Sequence, residues 1–207
     1  MAHKLLWYET QMKDDLLNIM ARELKLNFGS NFKESEINGI EKDELRKSKN
    51  AWIPSSHWIG GLIWHYVMLA NRTNFNYNLT RIDHELMQYT HYGEGMYYNW
   101  HTDGDIDTAY TPISGESNYT QESLAQDHVI QNADLVRKLS FVLQLSNPEN
   151  YEGGELQIED ALGNIVSVTK NKGAIIFFDS RTRHRVSKVT KGSRQSLVGW
   201  VVGPMWK

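Results

Sequence analysis

The chain contains no cysteine. That absence excludes disulfides, thiolate zinc sites, iron–sulfur clusters and cysteine nucleophiles, and it leaves any metal to imidazole and oxygen ligands. Long apolar runs are missing as well: none approaches the ~18 residues that a membrane-spanning helix needs. The first thirty residues lack the basic-then-apolar pattern of a secretory leader. A cytoplasmic location without a membrane partner is therefore expected, and the Asn-x-Thr triplets at Asn71, Asn78 and Asn118 carry no weight as glycosylation sites. Nor is there an excess of basic charge. Lys and Arg number 22 against 25 Asp and Glu, a net charge of −3, so no global positive field points to nucleic acid. Walker loops, His-Glu-x-x-His and Gly-x-Ser-x-Gly are also lacking. The Gly93-x-Gly95 stretch has Tyr98 where a dinucleotide fingerprint needs its third glycine, and it leads into a His-x-Asp triplet.

What is present suits one well-packed domain over residues 1–207, with seven Trp and ten Tyr arguing against disorder across most of the chain. Apolar residues at Met12, Leu16, Ile19 or Met20, and Leu24 predict a helix over about Thr10–Leu26, stopped by Gly29. Residues 30–50 are polar and read as loop with a short strand or turn. A second helix is expected from about Ile59 to Arg72, weakened by Gly60-Gly61. Beyond about residue 80 the period changes to two. Leu139, Phe141, Leu143 and Leu145 alternate with Ser140, Val142, Gln144 and Ser146, and further short β-rich runs follow to residue 202. Helices first and strands later predict an α+β, mainly β, chain: an antiparallel sandwich or barrel with helices packed outside. Residues 104–134 are polar and aperiodic, and directly follow the His-x-Asp triplet, as a closing lid would.

Of the eight histidines, His101 alone begins a His-x-Asp triplet, His101-Thr102-Asp103. On a strand, residues i and i+2 share a face roughly 6–7 Å apart, close enough for both to reach one metal. A later strand-rich segment supplies His184. Two histidines and one carboxylate make the facial triad of an oxygen-activating iron(II) site, with positions left open for other ligands. Ten residues on, Arg194 shares strand parity with Ser196, Val198 and Trp200. A guanidinium on that face can grip a carboxylate bidentately, and the Ser196 hydroxyl can add a donor.

These stretches resemble the prolyl-4-hydroxylase-like 2-oxoglutarate oxygenases, and particularly the bacterial proline/lysine-hydroxylase-domain type. The resemblance runs through Tyr92-Gly-Glu-Gly-Met-Tyr-Tyr98-Asn-Trp-His101-Thr-Asp103, Arg137-Lys-Leu-Ser-Phe-Val-Leu-Gln-Leu-Ser, Asn150-Tyr-Glu-Gly-Gly-Glu-Leu, Gly173-Ala-Ile-Ile-Phe-Phe and His184 to Trp200. Upstream, Leu45-Arg-Lys-Ser-Lys-Asn-Ala-Trp-Ile is similar to a stretch near the start of collagen-type prolyl hydroxylase domains. It implies a double-stranded β-helix, or jelly roll, over about 81–207 with N-terminal supporting helices over about 1–80. It implies His101, Asp103 and His184 as iron ligands, Arg194 as the partner of the distal 2-oxoglutarate carboxylate, and Tyr92 and Trp200 as pocket walls. Gln144 falls where some relatives carry a carboxylate-binding Tyr, and Tyr98 matches a position near the substrate. The implied cofactors are Fe(II), 2-oxoglutarate as co-substrate, and O2, with ascorbate as an auxiliary reductant.

The implied reaction hydroxylates a C–H bond while 2-oxoglutarate becomes succinate and CO2. The expected substrate is a peptidyl proline or similar residue. Competing readings are a free amino acid or other small metabolite, and a non-catalytic jelly-roll binding module. Eight basic residues lie between Lys170 and Arg194 against the single acid Asp179, a rim that could face an acidic peptide or nucleic acid. Nucleic-acid-demethylating relatives carry a second Arg where this chain has Trp200, so a peptide or small-molecule substrate is expected instead. Collagen-type relatives carry a His where this chain has Val202. Oligomeric state is not legible.

Overall fold

The computed structural model describes residues 6–35, 45–104 and 135–206. The lid expected over 104–134 falls, apart from Gly104, outside the described residues. In chain order the elements are β1 (Trp7–Gln11), α1 (Asp14–Phe28), β2 (Lys33–Glu34), β3 (Arg46–Lys47), β4 (Lys49–Pro54) and α2 (Trp58–Ala70). A π-helical turn over Asn71–Phe75 leads to β5 (Arg81–Ile82), β6 (Leu86–Tyr92), β7 (Tyr97–His101) and β8 (Leu135–Gln144). Then come β9 (Tyr151–Gly153), β10 (Leu156–Glu159), β11 (Ile165–Ser167), β12 (Ala174–Asp179), β13 (His184–Val186), β14 (Val189–Gly192) and β15 (Arg194–Pro204).

The larger sheet runs β1-β12-β8-β15-β6-β4-β2, with β5 also paired to β15. Facing it is a smaller sheet, β11-β10-β13-β7-β3, and β14 with β9 forms a two-stranded ribbon. The strand pairs are antiparallel, and the two facing sheets make the double-stranded β-helix. One core lies between the larger sheet and the helices: Leu139, Phe141, Leu143, Phe177, Leu197 and Val201 meet Leu17, Met20, Leu24, Ile59, Ile63 and Val67. A second lies between the sheets, where Val142, Ile176 and Phe178 meet Leu156, Ile158 and Val186. Each such side chain, once fully buried, contributes about 1.5–3 kcal/mol.

Both helices sit where the apolar spacing puts them, with shifted ends. Helix α1 starts at Asp14 rather than Thr10, because Thr10 and Gln11 pair with Ile175 and Ala174 and extend the larger sheet instead. Its buried face is Leu17, Met20 and Leu24, so Met20 and Leu24 fall in the expected stripe while Leu17 takes the place of Leu16, which stays exposed with Ile19. Asp14 and Asp15 complement the positive end of its dipole and Lys25 the negative end. In α2, Gly60 is obligatory: a Cβ there would lie 1.9 Å from the Ser55 carbonyl oxygen. Gly61 faces open space.

Strand β8 alternates as expected, with Leu139, Phe141 and Leu143 toward the helices and Val142 toward the other sheet. Near its start the pattern breaks. Val201 pairs with Leu139 but Val202 pairs with Arg137, so Lys138 is an extra residue, a β-bulge. The bulge turns Arg137 to the side of Ser140. A second irregularity, on β7, pairs His184 with His101 but Val186 with Tyr98. Tyr98 and His101, three residues apart, thereby share a face that a regular strand would deny them.

Residues 30–50, expected as loop with a short strand or turn, supply β2, β3 and the start of β4 among the described residues. Four of their polar side chains, Ser35, Arg46, Ser48 and Asn50, are buried in a network with Gln88. Arg46 Nε donates to Ser48 Oγ at 2.8 Å, and Arg46 Nη2 donates to Asn50 Oδ1 at 3.0 Å and Gln88 Oε1 at 2.8 Å. Polar composition read as solvent exposure because the partners lie far away in sequence.

Candidate metal and co-substrate site

His101 ends β7, His184 begins β13, and the two are cross-strand partners in the smaller sheet. Asp103 lies just past β7, held by its own N–H donating to the Ser180 carbonyl at 2.9 Å. One ligand atom from each of the three falls within 4.8 Å of the others. His101 Nε2 is 3.5 Å from Asp103 Oδ1, and His184 Nε2 is 3.4 Å from Asp103 Oδ2. The opposite ring nitrogens are committed elsewhere. His101 Nδ1 donates to the Asn99 carbonyl at 2.7 Å and His184 Nδ1 to the Thr182 carbonyl at 2.9 Å. Both imidazoles thus turn Nε2 toward the carboxylate, the nitrogen left to take a metal. Two nitrogen donors and one carboxylate, with no thiolate, fit Fe(II) and leave a face open.

The carboxylate is itself held. Ser140 Oγ donates to Asp103 Oδ2 at 2.7 Å, and Ser140 and Ser180 hydroxyls meet at 3.0 Å. Burial pushes the Asp103 carboxyl up, but His184, His101 and Ser140 outweigh it and hold the group below the usual carboxylate range. Burial holds His184 below the ordinary imidazole value, and the Asp103 charge opposes that only in part. In the metal-free protein the neutral ring is the favoured form.

Farther along β15, Arg194 is 1% exposed. Its Nη2 donates to Gln144 Oε1 at 3.0 Å, and the guanidinium carbon is 5.5 Å from the centre of the Tyr92 ring. Arg194 Nε and Nη1, Ser196 Oγ, Trp200 Nε1 and Tyr151 OH are buried without a hydrogen-bond partner among the described residues. No carboxylate pairs with Arg194 there either. A buried guanidinium with unspent N–H groups costs several kcal/mol unless an anion joins it. The unspent Arg194 N–H groups are what a ligand's carboxylate would satisfy.

The structure therefore brings His101, Asp103 and His184 together, and separately brings Arg194, Gln144 and Tyr92 together with Ser196 on the same strand face. Gln144 does not face solvent: it is 1% exposed, and its Nε2 donates to the Thr169 carbonyl at 3.1 Å. Trp200 pairs across strands with Ser140 and lies 4.2 Å beneath the Arg137 guanidinium, on the triad side of the pocket. Tyr98 stacks on His101, and burial pushes its phenol up to about 12.

Sequence reasoning missed Ser140, Ser180, Arg137 and Asp83. Arg137 Nε donates to Asp83 Oδ2 at 2.6 Å and Nη1 to the Asp103 carbonyl at 3.3 Å. Ser140 was findable, since it shares a strand face with Gln144. Arg137 was not, because only the bulge turns it inward. Of the basic residues between Lys170 and Arg194, Arg181 pairs with Asp179 and Arg183 with Glu159, so much of that rim is neutralised at home.

A family model described as the 2OG-Fe(II) oxygenase superfamily matches residues 87–202, more than half of the 207. A PKHD-type hydroxylase of Parvibaculum lavamentivorans is 48% identical over 63 residues, covering 30% of this chain and 28% of that protein. Across such curated relatives the match spans from 28% to 41% of their own length. Among solved structures, a Pseudomonas putida prolyl-4-hydroxylase superposes with a TM-score of 0.64 at 18% identity, covering 98% of this chain and 94% of that one. A Trichoplax adhaerens prolyl hydroxylase, in complex with a hypoxia inducible factor oxygen degradation domain peptide fragment, superposes with a TM-score of 0.66 at 15% identity, covering 95% and 83%. At these identities the two structures speak for the fold.

Proposed function

This chain belongs to the 2OG-Fe(II) oxygenase superfamily, and from that premise we propose that it is a 2-oxoglutarate-dependent hydroxylase whose metal is held by His101, Asp103 and His184. The carrying observation is the pair of imidazoles with Nδ1 spent on backbone carbonyls and Nε2 turned to a buried carboxylate. Fe(II) bound there, with 2-oxoglutarate and O2, would supply the oxidation that yields succinate, CO2 and one hydroxyl on a substrate C–H bond. The chain's own share is positioning. Asn99 and Thr182 carbonyls keep the imidazoles in register, and Ser140, donating to Asp103 Oδ2, fixes the carboxylate that would hold the metal with them. Arg194 binds the distal carboxylate of 2-oxoglutarate through its unspent N–H groups, with Gln144 orienting it from behind. Tyr92 and Trp200 wall the pocket and exclude water, and Ser196 offers a further donor.

A peptidyl proline or similar residue is the proposed substrate, with Tyr98 lining the substrate side of the metal. The peptide carried by the Trichoplax neighbour supports this choice. Val202, where collagen-type relatives carry a His, favours a different residue or a smaller substrate.

Anaerobic Fe(II) loading followed by 2-oxoglutarate should give a visible metal-to-ligand charge-transfer band. It should vanish in His184→Ala and weaken in Arg194→Ala. No band from folded, iron-loaded protein would sink the reading. For the substrate, a proline-rich peptide library should show a mass gain of one oxygen; no gain would move the reading to a small metabolite.

A further inference from the structure

Tyr151 is used by neither the metal cluster nor the pocket residues described so far. Its ring is 4% exposed, yet its hydroxyl has no hydrogen-bond partner among the described residues. Buried phenols ordinarily find one. Tyr151 lies on β9 directly across from Gly192 of the ribbon, two residues before Arg194. Cross-strand and diagonal neighbours on one face come within about 5–8 Å, so this register sends Tyr151 and Arg194 toward the same volume.

The glycine between them lets the two side chains come close. A Cβ on Gly154 would lie 3.3 Å from Tyr151 Cε2 and 3.3 Å from Arg194 Cδ, so Gly154 is wedged between the phenol ring and the arginine stem. On Gly192 a Cβ would collide with the Asn150 carbonyl oxygen at 2.2 Å. From another side Lys170 clamps the ring, its Nζ 4.2 Å from the ring centre while it donates to the Gly153 carbonyl at 3.0 Å. The ring is thus fixed and only its hydroxyl is unspent. Burial raises the phenol above the ordinary tyrosine range, and Arg194 pulls it partly back. The two are near neighbours, yet no hydrogen bond of proper geometry closes between them.

Two adjacent donors without partners among the described residues, one charged and one neutral, meet here, and the Glu155 carboxylate close by is spent on Ser187 and Lys170. We infer that Tyr151 is a binding residue for the co-substrate, its hydroxyl donating to the same distal carboxylate of 2-oxoglutarate that Arg194 pairs with. This rests on the reading of Arg194 as the carboxylate anchor. It adds a specificity element: a phenol held at fixed depth rewards a 2-oxo acid whose second carboxylate reaches it, and rejects shorter ones.

The test titrates anaerobic Fe(II)-loaded protein with 2-oxoglutarate and, separately, with pyruvate, a 2-oxo acid without the distal carboxylate. Dissociation constants are read from the charge-transfer band. Tyr151→Phe should raise the 2-oxoglutarate constant roughly tenfold, the loss of one hydrogen bond to a charged group, and leave pyruvate unchanged. In an Arg194→Met background the same change should have little further effect, because the carboxylate is no longer seated. An unchanged 2-oxoglutarate constant in Tyr151→Phe overturns the inference. So does equal weakening of both ligands, which would make Tyr151 a structural wall. If wild-type protein binds neither ligand, the Arg194 reading fails and this inference falls with it.

Discussion

Tyr98 lies face to face on His101, the ring centroids 3.6 Å apart and the planes 13° from parallel. On its other side the Arg46 guanidinium sits 4.6 Å from the Tyr98 ring centre. The metal-facing imidazole is therefore the last layer of a stack whose base is the buried Arg46 network. Orientation reaches His101 by packing as well as through its Asn99 hydrogen bond.

Removing the stack should be felt at the metal. Tyr98→Ala is expected to weaken divalent-metal binding roughly tenfold, the usual scale for groups that orient a ligand, while Tyr98→Phe keeps the ring and the affinity. Titration with Fe(II) or Mn(II) under anaerobic conditions measures both. Wild-type affinity in the Ala variant would show that the hydrogen bond alone suffices.

Gln144 is placed to spoil the Arg194 anchor from within. Its amide is oriented by Thr169, which accepts from Nε2 and so leaves Oε1 to face Arg194. Gln144→Glu would put a carboxylate against the guanidinium and close an internal ion pair. The 2-oxoglutarate dissociation constant should rise about tenfold or more, with iron(II) affinity unchanged, in the same anaerobic titration. A Glu variant that binds 2-oxoglutarate normally would remove Gln144 from the pocket.

The two glycines of α2 should respond with opposite signs. Gly60→Ala drives a methyl into the Ser55 carbonyl and is expected to cost about 1–3 kcal/mol. Gly61→Ala meets nothing and should gain about 0.5–1 kcal/mol of helix propensity. Chemical denaturation of the two variants, at matched slopes, reads the difference. Equal effects would mean that the helix start can shift to relieve the clash.

His91 gives the metal-free protein an acid-side weakness away from the ligands. Burial first, and the Lys49 charge second, hold its pKa below the ordinary value of about 6.5. The unfolded chain therefore takes up the proton before the folded one. Stability is full above about pH 6.5 and declines as pH falls through that value toward the depressed folded one. In His91→Gln, thermal unfolding with a chelator present should depend less steeply on pH between about pH 7 and pH 5. His101 and His184 are common to both proteins and drop out of the comparison. Parallel profiles would contradict the assignment.

The legible part of this protein is the part carried by short-range spacing. His101 and Asp103 could be paired because i and i+2 share a strand face, and Arg194, Ser196 and Trp200 because parity holds along β15. The two-residue period of Leu139 to Leu145 likewise marked which face meets the helices. Long-range pairing decided the rest. Thr10 and Gln11 left the helix because β12 offered backbone partners. Arg46, Ser48 and Asn50 looked like surface until Gln88, 42 residues from Arg46, closed the network over them. Tyr151 stood in a motif that was noticed, but nothing local shows that its hydroxyl is left unspent.

The extra residue at Lys138 splits β8 into two reading frames. Downstream, even-numbered side chains look to the metal; upstream of it, Arg137 does, in the opposite phase. The strand thus carries two messages that can be edited separately. Residues before Lys138 can vary what is shown at the mouth of the pocket while Ser140 keeps its hold on Asp103. Deleting Lys138 would leave Arg137 next to Leu139 in a regular strand, still on the face of Ser140, so that one extra residue is all that separates the two frames.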